Sequence, residues 1–216
     1  MNGPDAVRHG AAIILAGGKS TRFGRDKAGE DLLGRSLLQR ALDAFEGLVD
    51  EYVIVRAVGQ ALPAVTAGGI VTTVEDLYPE SGPLGGIYTG LSVMQAPIAA
   101  VVACDMPLLR PALLQELLRL VPQSDIVVPL NEGMPEPLCA AYSKRCLEPI
   151  RQRLDAGAFK VTGFYDQVST NYLQPADWRP FDPEGLSFQN LNRESDLARI
   201  EALLREQDWT RKGQDA

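Results

Sequence analysis

The sequence predicts an α/β fold: a single-domain three-layer sandwich with a Rossmann-like, mostly parallel sheet and helices on both faces. Strand-like and helix-like stretches alternate almost throughout, which is the pattern of a parallel sheet covered on both sides. No internal repeat or long linker interrupts the 216 residues, a length that suits one domain with a sizeable core. Residues 11–206 are expected to form that domain, with tails at 1–10 and 207–216.

Taken in order, "AAIILA" is a short apolar run of the kind that forms a buried strand, and "SLLQRALDAF" carries apolar residues at helical spacing. "EYVIVRA" and "GIVTTVED" read as the next two strands. The turn-rich "LYPESGPLGG" follows, then a helix from Gly85 through Met94. "IAAVVACDMP" is a buried strand ending in a polar cluster, and "PALLQELLRLV" is a helix with Pro111 at its start. "SDIVVPL" and "PLCAAYS" give two more strands, "CLEPIRQRLDAG" a helix, and "SDLARIEALLREQ" a terminal amphipathic helix.

Composition narrows the function. Hydrophobic residues make up 45% and charged residues 23%, as in a folded globular protein. The net charge of −7 argues against nucleic acid or an anionic membrane as partner. The N-terminus lacks the apolar core of a signal peptide, and no stretch approaches the ~18 apolar residues of a membrane span, so a cytoplasmic protein is expected. Cys104, Cys139 and Cys146 show neither a CxxC pair nor zinc-ligand spacing, and Cys104 reads as a small buried hydrophobe. His9 is the only histidine and lies in the N-terminal tail, which excludes histidine-based acid–base chemistry and Ser-His-Asp triads.

The stretch from Ala11 to Glu30, "AAIILAGGKSTRFGRDKAGE", carries the chemistry. Two glycines follow the buried run, and Lys19, Arg22, Arg25 and Lys27 fall within nine residues. Backbone N–H donors at close approach with cations around them suit a polyphosphate. An ordinary βα turn with solvated basic side chains satisfies the same stretch. The loop is not a Walker A motif, because Ile13 stands where that motif needs its first glycine; nor is it the dinucleotide fingerprint, because Lys19 stands where that pattern needs its second. In sheets of this kind ligands bind at the carboxyl ends of the strands. Glu75-Asp76 and Cys104-Asp105 occupy two more such ends. Asp105 is placed for a hard cation such as Mg²⁺, which prefers oxygen ligands and substrate phosphates, or else for a turn- or helix-capping role. A basic loop and a metal-binding acid together suit nucleotidyl transfer.

"LAGGKSTRFGRDKA" is similar to the signature of the nucleotidyltransferases with a LAGG-x-x-x-R-[MF]-G-x-DK pattern, most closely to the molybdenum cofactor guanylyltransferase family. "VEDLYPESGPLGGI", "ACDMPLL", "PEPLCAAY" and "FQNLNRESDL" follow in that family's order, so the resemblance spans about Ala12 to Arg205. It implies that GMP passes from GTP to molybdopterin with release of pyrophosphate, with Mg²⁺ as cofactor. By the same resemblance the turn of Leu15, Ala16, Gly17 and Gly18 holds the guanine nucleotide, and Arg22 and Lys27 approach its phosphates. Asp76 helps bind the nucleotide, Gly82 borders the pocket with Pro83, Leu84 and Gly85, and Asp105 binds nucleotide and metal. Asn190, Asn192 and Lys160 are implied on the side of the pterin substrate. Handover of the product implies transient contacts with other proteins of molybdenum cofactor biosynthesis or with target enzymes.

One position departs from the family pattern. Relatives often have an asparagine after the second strand, where this chain has Arg56. A guanidinium cannot accept hydrogen bonds, so either the base is held differently or Arg56 reaches a phosphate. Transfer of CMP, a sugar-1-phosphate nucleotidyltransferase, and a non-catalytic nucleotide-binding module are the competing readings. The missing C-terminal repeats weigh against the second, and Lys27, Asp76 and Asp105 together weigh against the third.

Overall fold

The computed structural model describes residues 10–17, 27–191 and 194–214. The first strand, β1 (Gly10–Leu15), is buried along its whole length. A two-strand hairpin, β2 (Asp31–Leu32) and β3 (Arg35–Ser36), leads into α1 (Leu37–Asp43). Ser36 caps that helix by accepting from the Gln39 amide at 3.1 Å, which satisfies one of its orphan donors. Then come β4 (Glu51–Arg56), β5 (Ile70–Glu75), α2 (Pro83–Val93), β6 (Ile98–Ala103) and α3 (Pro111–Leu120). The second half holds β7 (Ile126–Asn131), β8 (Met134–Pro135), β9 (Cys139–Ser143), α4 (Leu147–Asp155), β10 (Thr170–Leu173), α5 (Pro175–Trp178) and α6 (Glu194–Gln214).

The main sheet runs in the order β10-β7-β9-β6-β1-β4-β5, with β8 attached to β7. β1 pairs in parallel with β4 on one side and β6 on the other. β9 alone in this order runs against its neighbours. Its reversal follows from the short connection. Glu132 and Gly133 both have positive φ, the conformation of a tight hairpin turn, and a parallel crossover needs a dozen or more residues. The sheet is therefore largely parallel, as the alternation of elements predicts.

Strand periodicity sorts the core into two layers. Ala12, Ile14, Tyr52, Ile54, Ala100 and Val102 meet α1 and α3 on one face. Ala11, Ile13, Leu15, Val53, Val55 and Val101 meet α2 and α4 on the other. All three cysteines are buried, and none of them forms a disulfide. A third, smaller cluster joins Leu32 and Leu37 to Leu108, Leu186, Leu191 and Ile200. It clasps the β2–β3 hairpin, the turn after β6 and α6 together. Among the described residues no helix is long and apolar enough to cross a membrane.

Candidate functional site

β1 sits where the chain order reverses, with β4 on one side and β6 on the other, and the site builds at the carboxyl ends of these strands. The ladder continues past the strand ends. The Cys104 amide donates to the Leu15 carbonyl at 3.0 Å, and the Ala16 amide donates to the Val55 carbonyl at 2.8 Å. A Cβ on Gly17 would stand 2.7 Å from the Ala57 backbone nitrogen, so only glycine lets the chain pass this close to the end of β4.

Asp105 follows this ladder between two buried neighbours, Cys104 and Met106. The Met106 amide closes a turn onto the Ala103 carbonyl at 3.3 Å. Lys27 opens a short 3-10 turn (Lys27–Gly29) whose next residue, Ala28, is fully buried in the α1-side core and anchors it. The Lys27 ammonium donates to Asp105 Oδ2 at 3.2 Å and to the Leu191 carbonyl at 3.0 Å. The Leu191 amide in turn donates to the Asp105 carbonyl at 2.8 Å. Three segments far apart in sequence thus meet at one point. Both side chains of the Lys27–Asp105 pair are 21% exposed, open to a ligand from above yet shielded on the protein side.

This arrangement removes the capping role for Asp105. The residue capping α3 is Arg110, and among the described residues the Asp105 carboxylate accepts only from Lys27. It caps no helix.

Asp76 sits in the turn between β5 and α2. Its Oδ1 accepts from the Tyr78 amide at 3.0 Å and from the Thr89 hydroxyl at 3.0 Å, while Thr89 accepts from the Leu77 amide at 3.0 Å. The acid therefore braces the β5–α2 turn against α2. Gly82 precedes α2 with φ 65° and ψ −154°, a conformation open essentially to glycine, and the helix start carries no side-chain cap.

The other expected residues divide by position. Asn190 is exposed beside buried Leu191, so it points away from the small core cluster that Leu191 enters. Lys160 is exposed after α4, its carbonyl accepting from the Gly163 amide at 2.9 Å, and no hydrogen bond or ion pair links its side chain to Lys27 or Asp105. Gly18, Lys19, Arg22, Arg25 and Asn192 lie outside the described residues. Arg56 pairs with Glu75 at 3.0 Å and donates to the Gln60 carbonyl. Its charge is spent within the protein.

Sequence reasoning missed Gln60. Its amide nitrogen donates to the Ala16 carbonyl at 3.0 Å and its oxygen accepts from the Ala57 amide at 2.8 Å, fixing the first turn. It lies in an unpatterned loop, "RAVGQ", where no periodicity or motif singles it out. The fit to a divalent cation rests on Asp105. Among the described residues no group of three or more His, Cys, Asp or Glu side chains gathers as a metal site. A carboxylate oxygen that accepts from no donor among the described residues suits Mg²⁺, which keeps waters and substrate phosphates as its other ligands. A groove of about 560 Å³ beside Asp43 and Tyr52 opens at the opposite, amino edge of the sheet, away from these residues.

Residues 12–168 match the MobA-like NTP transferase domain family. The chain is 36% identical over 204 residues to a molybdenum cofactor guanylyltransferase from Desulfosudis oleivorans, covering 93% of this chain and 97% of that one. It is also 36% identical over 205 residues to a probable molybdenum cofactor guanylyltransferase from Chloroflexus aggregans, covering 90% and 94%. Among solved structures, molybdopterin-guanine dinucleotide biosynthesis protein A from Archaeoglobus fulgidus superposes with a TM-score of 0.75 at 24% identity, over 91% of this chain and 99% of that one. A 2-C-methyl-D-erythritol 4-phosphate cytidylyltransferase from Thermus thermophilus shares the fold at a TM-score of 0.68 and 17% identity, over 91% and 99%. The match over most of its length, by sequence as well as fold, makes this chain a member of the MobA-like NTP transferase domain family.

Proposed function

We propose that the protein transfers GMP from GTP to molybdopterin in the cytoplasm, releasing pyrophosphate and forming the guanine dinucleotide form of the molybdenum cofactor. The observation that carries this reading is the meeting of Lys27, Asp105 and the Leu191 backbone at the carboxyl edge of β1 and β6. It joins a cation, a carboxylate oxygen that accepts from no donor among the described residues and the Leu191 backbone, the combination this reading asks for around a polyphosphate.

The attacking group is the phosphate of molybdopterin, already an anion, so no side-chain base is needed. The barrier is then charge accumulation and alignment. Lys27, with Arg22 from the preceding loop, neutralises charge on the phosphates as pyrophosphate leaves. Asp105 holds Lys27 in place and would hold the divalent cation, Mg²⁺ in our reading, which supplies Lewis-acid neutralisation of phosphate charge when bound. Leu15, Ala16, Gly17 and Gly18 cradle the nucleotide, and Gly82 leaves the α2 start open beside it. Asp76 keeps that turn in shape and lies next to the nucleotide. Asn190, Asn192 and Lys160 serve the molybdopterin side, and the product passes to partner proteins by transient contact. The reading keeps one domain at 11–206.

The test is pyrophosphate release with molybdopterin, Mg²⁺ and each of GTP, CTP, ATP and UTP. Release with GTP at least tenfold faster than with the others is expected. Preference for CTP would replace guanylyl by cytidylyl transfer, and release with none would remove the transferase reading.

A further inference from the structure

The connection between β8 and β9 carries an acid that the transfer chemistry above leaves unused. The Glu136 amide donates to the Pro129 carbonyl at 3.0 Å, and its own carbonyl accepts from the Cys139 amide at 3.1 Å. One residue on, the Pro137 carbonyl accepts from the Tyr142 hydroxyl at 2.9 Å, itself 2.7 Å from the Tyr165 hydroxyl. The Asn131 amide donates to Glu136 Oε1 at 3.1 Å and fixes the side chain. Among the described residues no donor reaches Oε2. A half-buried carboxylate with an open oxygen is costly to keep ionised. Burial pushes its carboxyl above the ordinary glutamate range, the Asn131 hydrogen bond offsets part of this, and Glu132 adds to the rise. A glutamine of the same shape avoids that cost, so packing does not call for the charge.

Its place in the sheet says what the charge serves. Leu138, two residues after Glu136, accepts from the Ala103 amide at 3.3 Å, and Ala103 stands two residues before Asp105. Both acids therefore leave neighbouring strands at the same edge. β9 lies two strands from β1 on the side away from β4, about 10 Å at ~4.8 Å per strand. The nucleotide end of the site, at Ala16 and Gly17, leans toward β4, so Glu136 belongs to the acceptor end. A pterin is a 2-amino-4-oxopyrimidine fused to a second ring, and its N3–H and 2-amino group form a donor pair. A carboxylate has lone pairs for both, even with Oε1 shared with Asn131.

Resting on the guanylyl-transfer reading, we propose that Glu136 is a specificity-determining residue that accepts the donor edge of the pterin ring of the acceptor. Guanine presents the same edge, so the experiment separates the two. Pterin and lumazine, which carries a carbonyl in place of the 2-amino group, are titrated by fluorescence into wild type and Glu136→Gln. GTP affinity is measured by calorimetry, and KM for molybdopterin by pyrophosphate release. Wild type is expected to prefer pterin about tenfold, and Glu136→Gln to lose that preference, since one charge-assisted contact is worth roughly that factor. KM for molybdopterin rises about tenfold, while GTP affinity stays within twofold. Glu136→Asp, which keeps the charge, regains part of the preference. Equal binding of pterin and lumazine by wild type overturns the proposal, and so does a GTP affinity that falls with the Gln variant, which moves the contact to guanine. Wild type that releases no pyrophosphate overturns guanylyl transfer instead, while the pterin and lumazine arm still decides the role of Glu136.

Discussion

Lys27 and Lys19 stand eight positions apart in one basic stretch, yet different behaviour is expected of them. Lys27 is anchored by buried Ala28 and donates to Asp105 and the Leu191 carbonyl. Lys27→Ala is expected to lower transfer by about 10²–10³-fold, the usual cost of one positioned electrostatic contact. Lys19, at an unspecified position of the LAGG-x-x-x-R pattern, is expected to cost little on replacement, because water and salt screen a lysine that holds no phosphate. Calorimetry with GTP at two salt concentrations separates them: equal losses that vanish at high salt would reduce the loop to a diffuse basic patch. Asp76 calls for a different readout. Because its carboxylate accepts from both the Tyr78 amide and Thr89, Asp76→Ala is expected to cost about 1–3 kcal/mol of stability along with activity. A denaturant titration that finds the variant as stable as wild type would contradict the bracing role.

The start of α2 and the reversal at β9 are where single elements decide the site. Gly82 must hold φ 65° and ψ −154° for the helix to begin beside the β5 turn, so Gly82→Ala is expected to cost about 1–3 kcal/mol by thermal melting. An unchanged melt would mean the turn relaxes without strain. Most elements were legible because buried runs such as "AAIILA" and "IAAVVA" and helical spacing in "PALLQELLRLV" are strong signals. The antiparallel direction of β9 was not read from the sequence; it comes from the tight turn at Glu132 and Gly133, which rules out a parallel return. The short strands β2, β3, β8 and β10 escape pattern reading because two to four residues carry no resolvable period. In the candidate site, the place of Asp105 just past the end of β6 was legible from the apolar run before it. The docking of Leu191 on Asp105 was not, since a contact across 86 positions leaves no local trace. Arg56 illustrates the same limit: its partner Glu75 lies on the neighbouring strand, which only the register reveals.

Asp125 ties the far half of the sheet together. Its carboxylate accepts from Arg145 at the end of β9, from the Ser169 amide before β10 at 2.9 Å, and from the Ser143 hydroxyl at 3.4 Å. Burial alone would raise its carboxyl, but Arg145, Ser169 and Ser143 together hold it below the ordinary aspartate range. A depressed acid contributes stability above its unfolded value, about 3.9, and loses it as pH falls through the folded value. Asp125→Asn is therefore expected to melt earlier than wild type at pH 7, with the gap closing in acid below pH ~4. Glu136 has the opposite sign. Its raised carboxyl costs stability as pH climbs above the ordinary glutamate value, so Glu136→Gln gains on wild type as pH rises from that value through the raised one. Melting curves from about pH 2 to pH 8 check both signs, and a gap that stays constant over that whole span for either variant contradicts its account.

The molecule as a whole is a largely parallel sheet that brings Lys27, Asp105 and Leu191 to one point at the carboxyl edge of β1 and β6, where we propose that catalysis takes place. The most direct measurement is the Mg²⁺-dependent rate of pyrophosphate release from GTP and molybdopterin for Asp105→Asn, with folding verified by circular dichroism. A folded variant at least 10²-fold slower than wild type is the predicted result. A folded variant that keeps more than about a tenth of the wild-type rate would contradict the assignment.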